Sequence, residues 1–162
     1  MENKKDKYLL ALDLSMTNTG AAVFDENNYP VEVTSVSTNS KQTYGERLKT
    51  IAAVLLNLKS KYDFYAVVLE GGFFRHIKST QVIYRVHGLA NYLFWDVPQY
   101  SAAPSTIKKI IFGKGTGDKK EIQDKILEIF PKLKFENMDE SDAVSIGCAF
   151  VKDQEAFEKS KK

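Results

Sequence analysis

Apolar residues recur along this chain with two periods, and the periods predict an ordered series of strands and helices. Leu9, Leu10, Ala11, Leu12 and Leu14 form a short apolar run that stops at a Ser/Thr/Asn/Gly turn, which fits a strand buried on both faces. Gly20 to Phe24 reads as a second strand, Asp25 to Pro30 as a turn and Val31 to Ser37 as a third strand, with connections short enough for an antiparallel meander. Tyr44 to Lys61 has helical spacing, with Leu48, Ile51, Ala52, Leu55 and Leu58 on one face and Arg47, Lys49 and Lys59 off it. Phe64 to Glu70 (FYAVVLE) predicts a fourth strand, and the intervening helix makes it a parallel partner of the first. A helix follows from about Thr80 to Trp95, then a fifth strand at Pro98 to Ala102 and a brief basic helix at Ser105 to Phe112. The loop GKGTG leads to a helix at Asp118 to Phe130, and Pro131 to Met138 links it to a last helix from Asp139 to about Glu158. The expected fold is α/β: a five-stranded mixed sheet, three antiparallel strands followed by parallel ones, flanked by helices in one domain spanning 1–162. The polar ends, 1–7 and 158–162, are expected to fray.

Composition narrows the class. At 162 residues, with 43% hydrophobic and 27% charged, the chain has the make-up of a globular domain rather than a disordered one. The lone Cys148 lies in an apolar segment and forms no internal disulfide, which suggests an inert core thiol in a reducing compartment. No apolar stretch approaches the roughly 20 residues that span a bilayer, and the leader MENKKDK lacks a signal peptide's apolar centre, so the expectation is a cytoplasmic protein without a membrane partner. The net charge of +2 is uninformative, but its distribution is not. Between Gly71 and Gly117, six basic residues (Arg75, Lys78, Arg85, Lys108, Lys109 and Lys114) stand against the single acid Asp96, which suggests one electropositive face for a polyanion.

Candidate chemistry rests on four acids. Asp13 interrupts the most apolar strand, and an ionised carboxylate there needs a partner or a cation; hydroxyls or amides of Ser15, Thr17 and Thr19 are the structural alternative. Glu70 ends the other buried strand. Asp139 and Asp142 lie three apart at the start of the last helix, on one face; capping of that helix is the alternative reading. The residues that follow, Ala143, Val144, Ile146, Gly147, Ala149 and Phe150, are small or apolar, so this helix packs closely on the sheet and carries both acids toward its edge. Four clustered carboxylates repel one another unless cations neutralise them, and an all-oxygen set favours Mg²⁺ or Mn²⁺ over zinc. Two ions roughly 4 Å apart would suit in-line attack on a phosphodiester. His76 and His87 are too few for a His-centred site.

With LALDLSMTNTG, VVLE-GGF and Asp139-Glu-Ser-Asp142-Ala143 in this order, the sequence resembles the RuvC-like Holliday junction resolvases of the small, bacteriophage-encoded type, from about Leu9 to Phe150. The resemblance implies an RNase H-like fold, a homodimer, and Mg²⁺-dependent nicking of opposed strands at four-way junctions and other branched DNA, with two ions per site and Mn²⁺ as a substitute. A phage-encoded member would work in the host cytoplasm. Asp13, Glu70, Asp139 and Asp142 match the metal-holding acids; Phe73 matches an aromatic wedge, with its neighbour Phe74 the less exposed of the pair; Lys108 and Lys119 match lysines at the scissile phosphates, Lys119 as part of the catalytic set. Gly113 and Gly115 match the glycines between those lysines, and Arg75, Lys78, Lys109, Lys114 and Lys120 are expected to add DNA contacts. The sequence departs from the family at Leu14-Ser15, where Pro-Gly is usual, and at Gly71-Gly72, where bulkier residues are common. Two other classes compete. An actin-like sugar-kinase or ATPase domain shares the first strand-turn but needs two such domains and has no task for Asp139-x-x-Asp142. A silent DNA-binding module would not face a polyanion with four acids. No nucleotide cofactor is expected.

Overall fold

The computed structural model describes residues 8–71 and 77–160, with the side chains of 77–79 outside the description. At its centre lies β1 (Tyr8–Asp13), antiparallel to β2 (Asn18–Phe24), which pairs antiparallel with β3 (Pro30–Ser37). On the other side β1 is parallel to β4 (Phe64–Glu70), and β4 to β5 (Gln99–Ala102). A two-residue strand, β6 (Glu158–Lys159), closes that edge antiparallel to β5, giving the order β3-β2-β1-β4-β5-β6.

Strand alternation divides the core into two layers. Leu10 and Leu12 point to one face, against Ile51, Leu55 and Leu58 of α1 (Tyr44–Lys61) and Val86 and Ala90 of α2 (Ile77–Leu93). Leu9 and Ala11 point to the other, against α3 (Pro104–Phe112), α4 (Lys119–Ile129) and α5 (Met138–Lys152). Local signals fix the ends of these helices. Thr43 and Glu46 form a reciprocal capping box on α1, Pro104 opens α3, and Gly113 ends it in the left-handed region at φ 77°. Asp118 caps α4 by accepting from the Glu121 amide.

The helix α5 approaches the sheet unusually closely, and two glycines allow it. A Cβ on Gly147 would overlap the ring of Phe24, and a Cβ on Gly20 would overlap the backbone carbonyl of Asp139. The first turn of α5 therefore lies directly against β2.

Several elements differ from the sequence expectation. The sheet has six strands, not five, and the last helix ends at Lys152 rather than near Glu158. Asp153 caps a 3₁₀ turn, Phe157 is buried with its ring 5.3 Å from that of Phe150, and the Ser160 amide donates to the Gln99 carbonyl at 2.8 Å. Burying one Phe is worth about 1.5–3 kcal/mol, enough to draw residues 158–160 onto the sheet where fraying was expected. Arg47 was placed off the apolar face of its helix, yet it is buried, because positions 47, 51, 55 and 58 form the inward row. The helix expected at Thr80 to Trp95 runs Ile77–Leu93, with Trp95 in the following turn.

Candidate active site

Three elements deliver the four acids to one end of the sheet. Asp13 and Glu70 are the last residues of two adjacent parallel strands, whose register pairs Leu12 with Leu69. Asp13 alternates with Leu9 and Ala11 and so belongs to the face that α5 covers. Opposite Asp13 in the register is Gly20, the residue that admits the Asp139 backbone.

The start of α5 is pinned as well as admitted. Asn137 caps it by accepting from the Glu140 amide at 3.1 Å. The Glu140 carboxylate, 3% exposed, accepts from Ser35 Oγ at 2.9 Å and from the Glu136 amide at 2.8 Å, while Asn137 Nδ2 donates to Ser35 Oγ at 2.8 Å. This network ties the first turn of α5 to β3, and with it the direction in which Asp139 and Asp142 project.

One carboxylate oxygen each from Asp13, Asp139 and Asp142 lies within 4.8 Å of the other two. Glu70 stands outside that set but lines the same cleft of ≈ 430 Å³, with Asp13, Asp142, Lys108, Lys119 and Ser145. Burial, and then the charges of Asp142, Glu70 and Asp139, push the Asp13 carboxyl from 3.8 up to about 8, against the opposing pull of Lys119. Burial also raises Glu70, with Asp142 adding to it, and raises Asp142 despite Lys119. Lys119 Nζ lies 3.4 Å from Asp139 Oδ1 and 3.1 Å from Asp142 Oδ2. Partial burial works against the Lys119 charge, but Asp142, Asp139 and Asp13 hold its pKa above the ordinary value.

One ammonium among four carboxylates leaves negative charge in excess, and Asp142 Oδ1 is buried without a hydrogen-bond partner among the described residues. An orphaned carboxylate oxygen beside two others fits a hard divalent cation, for which three converging carboxylates are a suitable donor set. Asp13, Asp139 and Asp142 would hold it, with Glu70 beside them.

The other expected site residues divide three ways. Lys108 lines the cleft; Lys109, Lys114 and Lys120 are exposed and outside its lining, Lys120 within 3.7 Å of Asp124. Phe73, Phe74, Arg75 and the side chain of Lys78 fall outside the described residues. His87 is partly buried, which lowers its pKa, and burial pushes the Cys148 thiol up to about 12, consistent with an inert thiol. Sequence reasoning missed Gly20 and Glu140, while Gly147 was among the small residues that predicted close packing of the last helix. A glycine inside a strand or helix signals close approach, which was there to be read, whereas Glu140 looks like any acid in a first helical turn.

No family model matches the chain. The crossover junction endodeoxyribonuclease RuvC of Ehrlichia ruminantium (strain Gardel) is 28% identical over 159 residues, which cover 92% of this chain and 99% of that protein. The same enzyme of Leifsonia xyli subsp. xyli is 29% identical over 122 residues, 71% of this chain and 59% of that one. Among solved structures, T. thermophilus RuvC in complex with Holliday junction substrate matches with a TM-score of 0.83 at 18% identity, over 95% of this chain and 99% of that one. The Thermus thermophilus RuvC structure gives 0.81 at 19%, over 94% and 99%. Along nearly its whole length the chain is thus similar in sequence to crossover junction endodeoxyribonucleases of the RuvC type, and its fold is the RNase H-like one that those solved structures share.

Proposed function

We propose that this protein is a metal-dependent endonuclease that resolves four-way DNA junctions by paired nicks in opposed strands. The observation that carries the reading is the convergence of Asp13, Asp139 and Asp142 beside Glu70 and Lys119 at one end of the sheet. Asp13, Asp139 and Asp142, with Glu70 beside them, would hold Mg²⁺, or Mn²⁺ in its place, two ions to a site, which would supply activation of the attacking water and neutralisation of the leaving oxygen. The chain's own part is positioning. Asp13 is fixed by β1, Glu70 by β4, and Asp139 and Asp142 by a helix start that Gly20 admits and Glu140 anchors. Lys108 and Lys119 face the cleft and hold the non-bridging oxygens of the scissile phosphate, while Lys109, Lys114 and Lys120 extend a basic margin for the flanking backbone.

Paired cutting needs two such sites, so we read the active form as a homodimer of one-domain subunits. The aromatic residues at and just beyond α2 support this. Tyr84, Tyr92 and Trp95 are 62%, 74% and 79% exposed although Val86 and Ala90 of α2 are buried, so these large aromatic side chains are not consumed inside one subunit. Phe73 serves as the wedge that stacks at the junction, with Phe74, Arg75 and Lys78 flanking it. The DNA substrate places the work in the cytoplasm, that of a host cell if the gene is a phage's. No described helix is long and apolar enough to cross a membrane.

Incubation with labelled four-way junction, fork and linear duplex, in Mg²⁺ and in EDTA, tests this reading. Symmetric nicks in the junction with Mg²⁺ are expected. ATP hydrolysis without nicking would favour the kinase class, and binding without nicking in Mg²⁺ would favour a silent binding module.

A further inference from the structure

A second basic group near the sheet end is not explained by the acid cleft. Arg47, in the first turn of α1, is 8% exposed. Its Nε donates to Thr38 Oγ1 at 2.8 Å and its Nη2 to Thr17 Oγ1 at 3.3 Å. Thr38 Oγ1 in turn donates to the Met16 carbonyl. No ion pair among the described residues includes Arg47. The adjacent Glu46 is committed to the Thr43 amide in the capping box.

A guanidinium has five N–H donors, and the described residues engage two, leaving three. The described side-chain atoms that are both buried and unpaired are Gln99 Oε1 and Asp142 Oδ1, so the unpaired Nη1 is reached by solvent. The segments framing it, Ser15 to Thr19 (SMTNT) and Thr38 to Thr43 (TNSKQT), offer hydroxyls, amides and Lys41 but no carboxylate. A mostly buried charge without a counter-charge costs several kcal/mol, and two hydroxyls recover only part of it. A neutral Gln could tether the same two threonines at lower cost. The retained charge, with donors left over on a guanidinium whose Nη1 is not fully buried, has the chemistry of a phosphate receptor.

Its location gives that receptor a ligand. Asp13 faces the α5 layer, whereas Leu12, Leu14 and Met16 belong to the α1 layer, so the acid cleft and Arg47 flank opposite sides of the β1–β2 turn at the same end of the sheet. A nucleic acid strand with one phosphate in the cleft would cross this turn next. We propose that Arg47, with Thr17 beside it, binds a second, non-scissile phosphate of the DNA; the DNA as ligand rests on the resolvase reading.

The test is anisotropy of a labelled four-way junction in EDTA across salt, with melting temperatures, for wild type, Arg47→Gln and Arg47→Lys. One lost phosphate contact flattens the salt slope by about 0.9, so the Arg47→Gln deficit should narrow about 3.5-fold between roughly 50 and 200 mM salt. Arg47→Lys keeps the charge but not the fork, and should bind several-fold more weakly than wild type with the wild-type slope. Arg47→Gln with a lower melting temperature but the wild-type slope would make Arg47 a brace for the turn and overturn the proposal. Should Arg47→Gln not fold, wild-type affinity in Arg47→Lys would overturn it equally. Millimolar inorganic phosphate forms a separate arm: stabilisation of wild type that Arg47→Gln lacks, with no change in junction slope, would mean a free-phosphate site and not a DNA contact. Failure of wild type to bind the junction at all would remove the resolvase reading, and the phosphate arm would still report on Arg47.

Discussion

Asp13→Asn should make the metal-free protein more stable at neutral pH, because burial of the Asp13 carboxylate, and then its repulsion by the neighbouring acids, is a cost that the metal-free fold cannot relieve. The Asp13 carboxyl moves from 3.8 to about 8 on folding. A folded-state pKa above the unfolded value means that the contribution to stability is fully present below the unfolded pKa and is lost as pH rises through the folded one. The window is thus about pH 4 to 8, at about 1.4 kcal/mol per pH unit, which by pH 7 reaches an upper figure of about 4 kcal/mol. The raised pKa values of Glu70 and Asp142 act in the same direction. At this chain length roughly 2–4 °C accompany each kcal/mol, so in EDTA at pH 7 the variant should melt on the order of 5–15 °C above wild type. Near pH 4 the difference should vanish, and Mg²⁺ should restore the wild type selectively. Thermal melts of both proteins at pH 4, 5.5, 7 and 8, in EDTA and in Mg²⁺, make the measurement. Equal melting temperatures in EDTA at pH 7, or a wild type that gains stability between pH 5.5 and 8, would refute the reasoning.

Other outcomes follow from the same geometry. Gly20→Ala should displace the first turn of α5, since its Cβ would overlap backbone and not a movable side chain; cleavage should fall on the order of 10²-fold while circular dichroism shows a folded chain destabilised by about 1–3 kcal/mol. Wild-type cleavage by Gly20→Ala would show that the close approach does not position Asp139. Lys119→Ala should lower turnover at saturating junction on the order of 10²-fold, because only contacts strengthened in the transition state affect that rate; unchanged turnover would remove Lys119 from the catalytic set. Sedimentation at micromolar concentration should give the mass of a dimer, and Trp95→Glu should shift it toward monomer. A wild-type monomer that still makes paired cuts would overturn the dimer.

The parts of this site that were legible in the sequence are those where chemistry is costly. A carboxylate in the run Leu9 to Leu14 demands an explanation, and Asp139-x-x-Asp142 before a small, apolar helix supplies one. Strand order around β1 was legible for the same reason, since apolar runs and connection lengths left few topologies. Arg47 stands in the buried row by its spacing to Ile51, Leu55 and Leu58, but a pattern built on apolar residues alone leaves a charged residue out of that row. The edge strand at Glu158 was invisible because it rests on Phe157 alone, with no periodic pattern around it. Glu140 could not be recognised as an anchor, since its partners Ser35 and Glu136 lie on different segments and only the fold brings them together. Glu70 was grouped with the three aspartates because it ends the other buried strand, and it lines the same cleft, beside the converging oxygens of Asp13, Asp139 and Asp142.

The central claim is that this acid cleft cuts branched DNA and does not merely bind it. Its most direct test is single-turnover cleavage of a labelled four-way junction by wild type and by Asp142→Asn, each with Mg²⁺ and with EDTA, with binding measured on the same samples. Wild type should cut opposed strands symmetrically in Mg²⁺ alone, and Asp142→Asn should bind the junction at least as tightly while leaving it intact. Cleavage by Asp142→Asn at the wild-type rate, or cleavage by wild type in EDTA, would contradict the account.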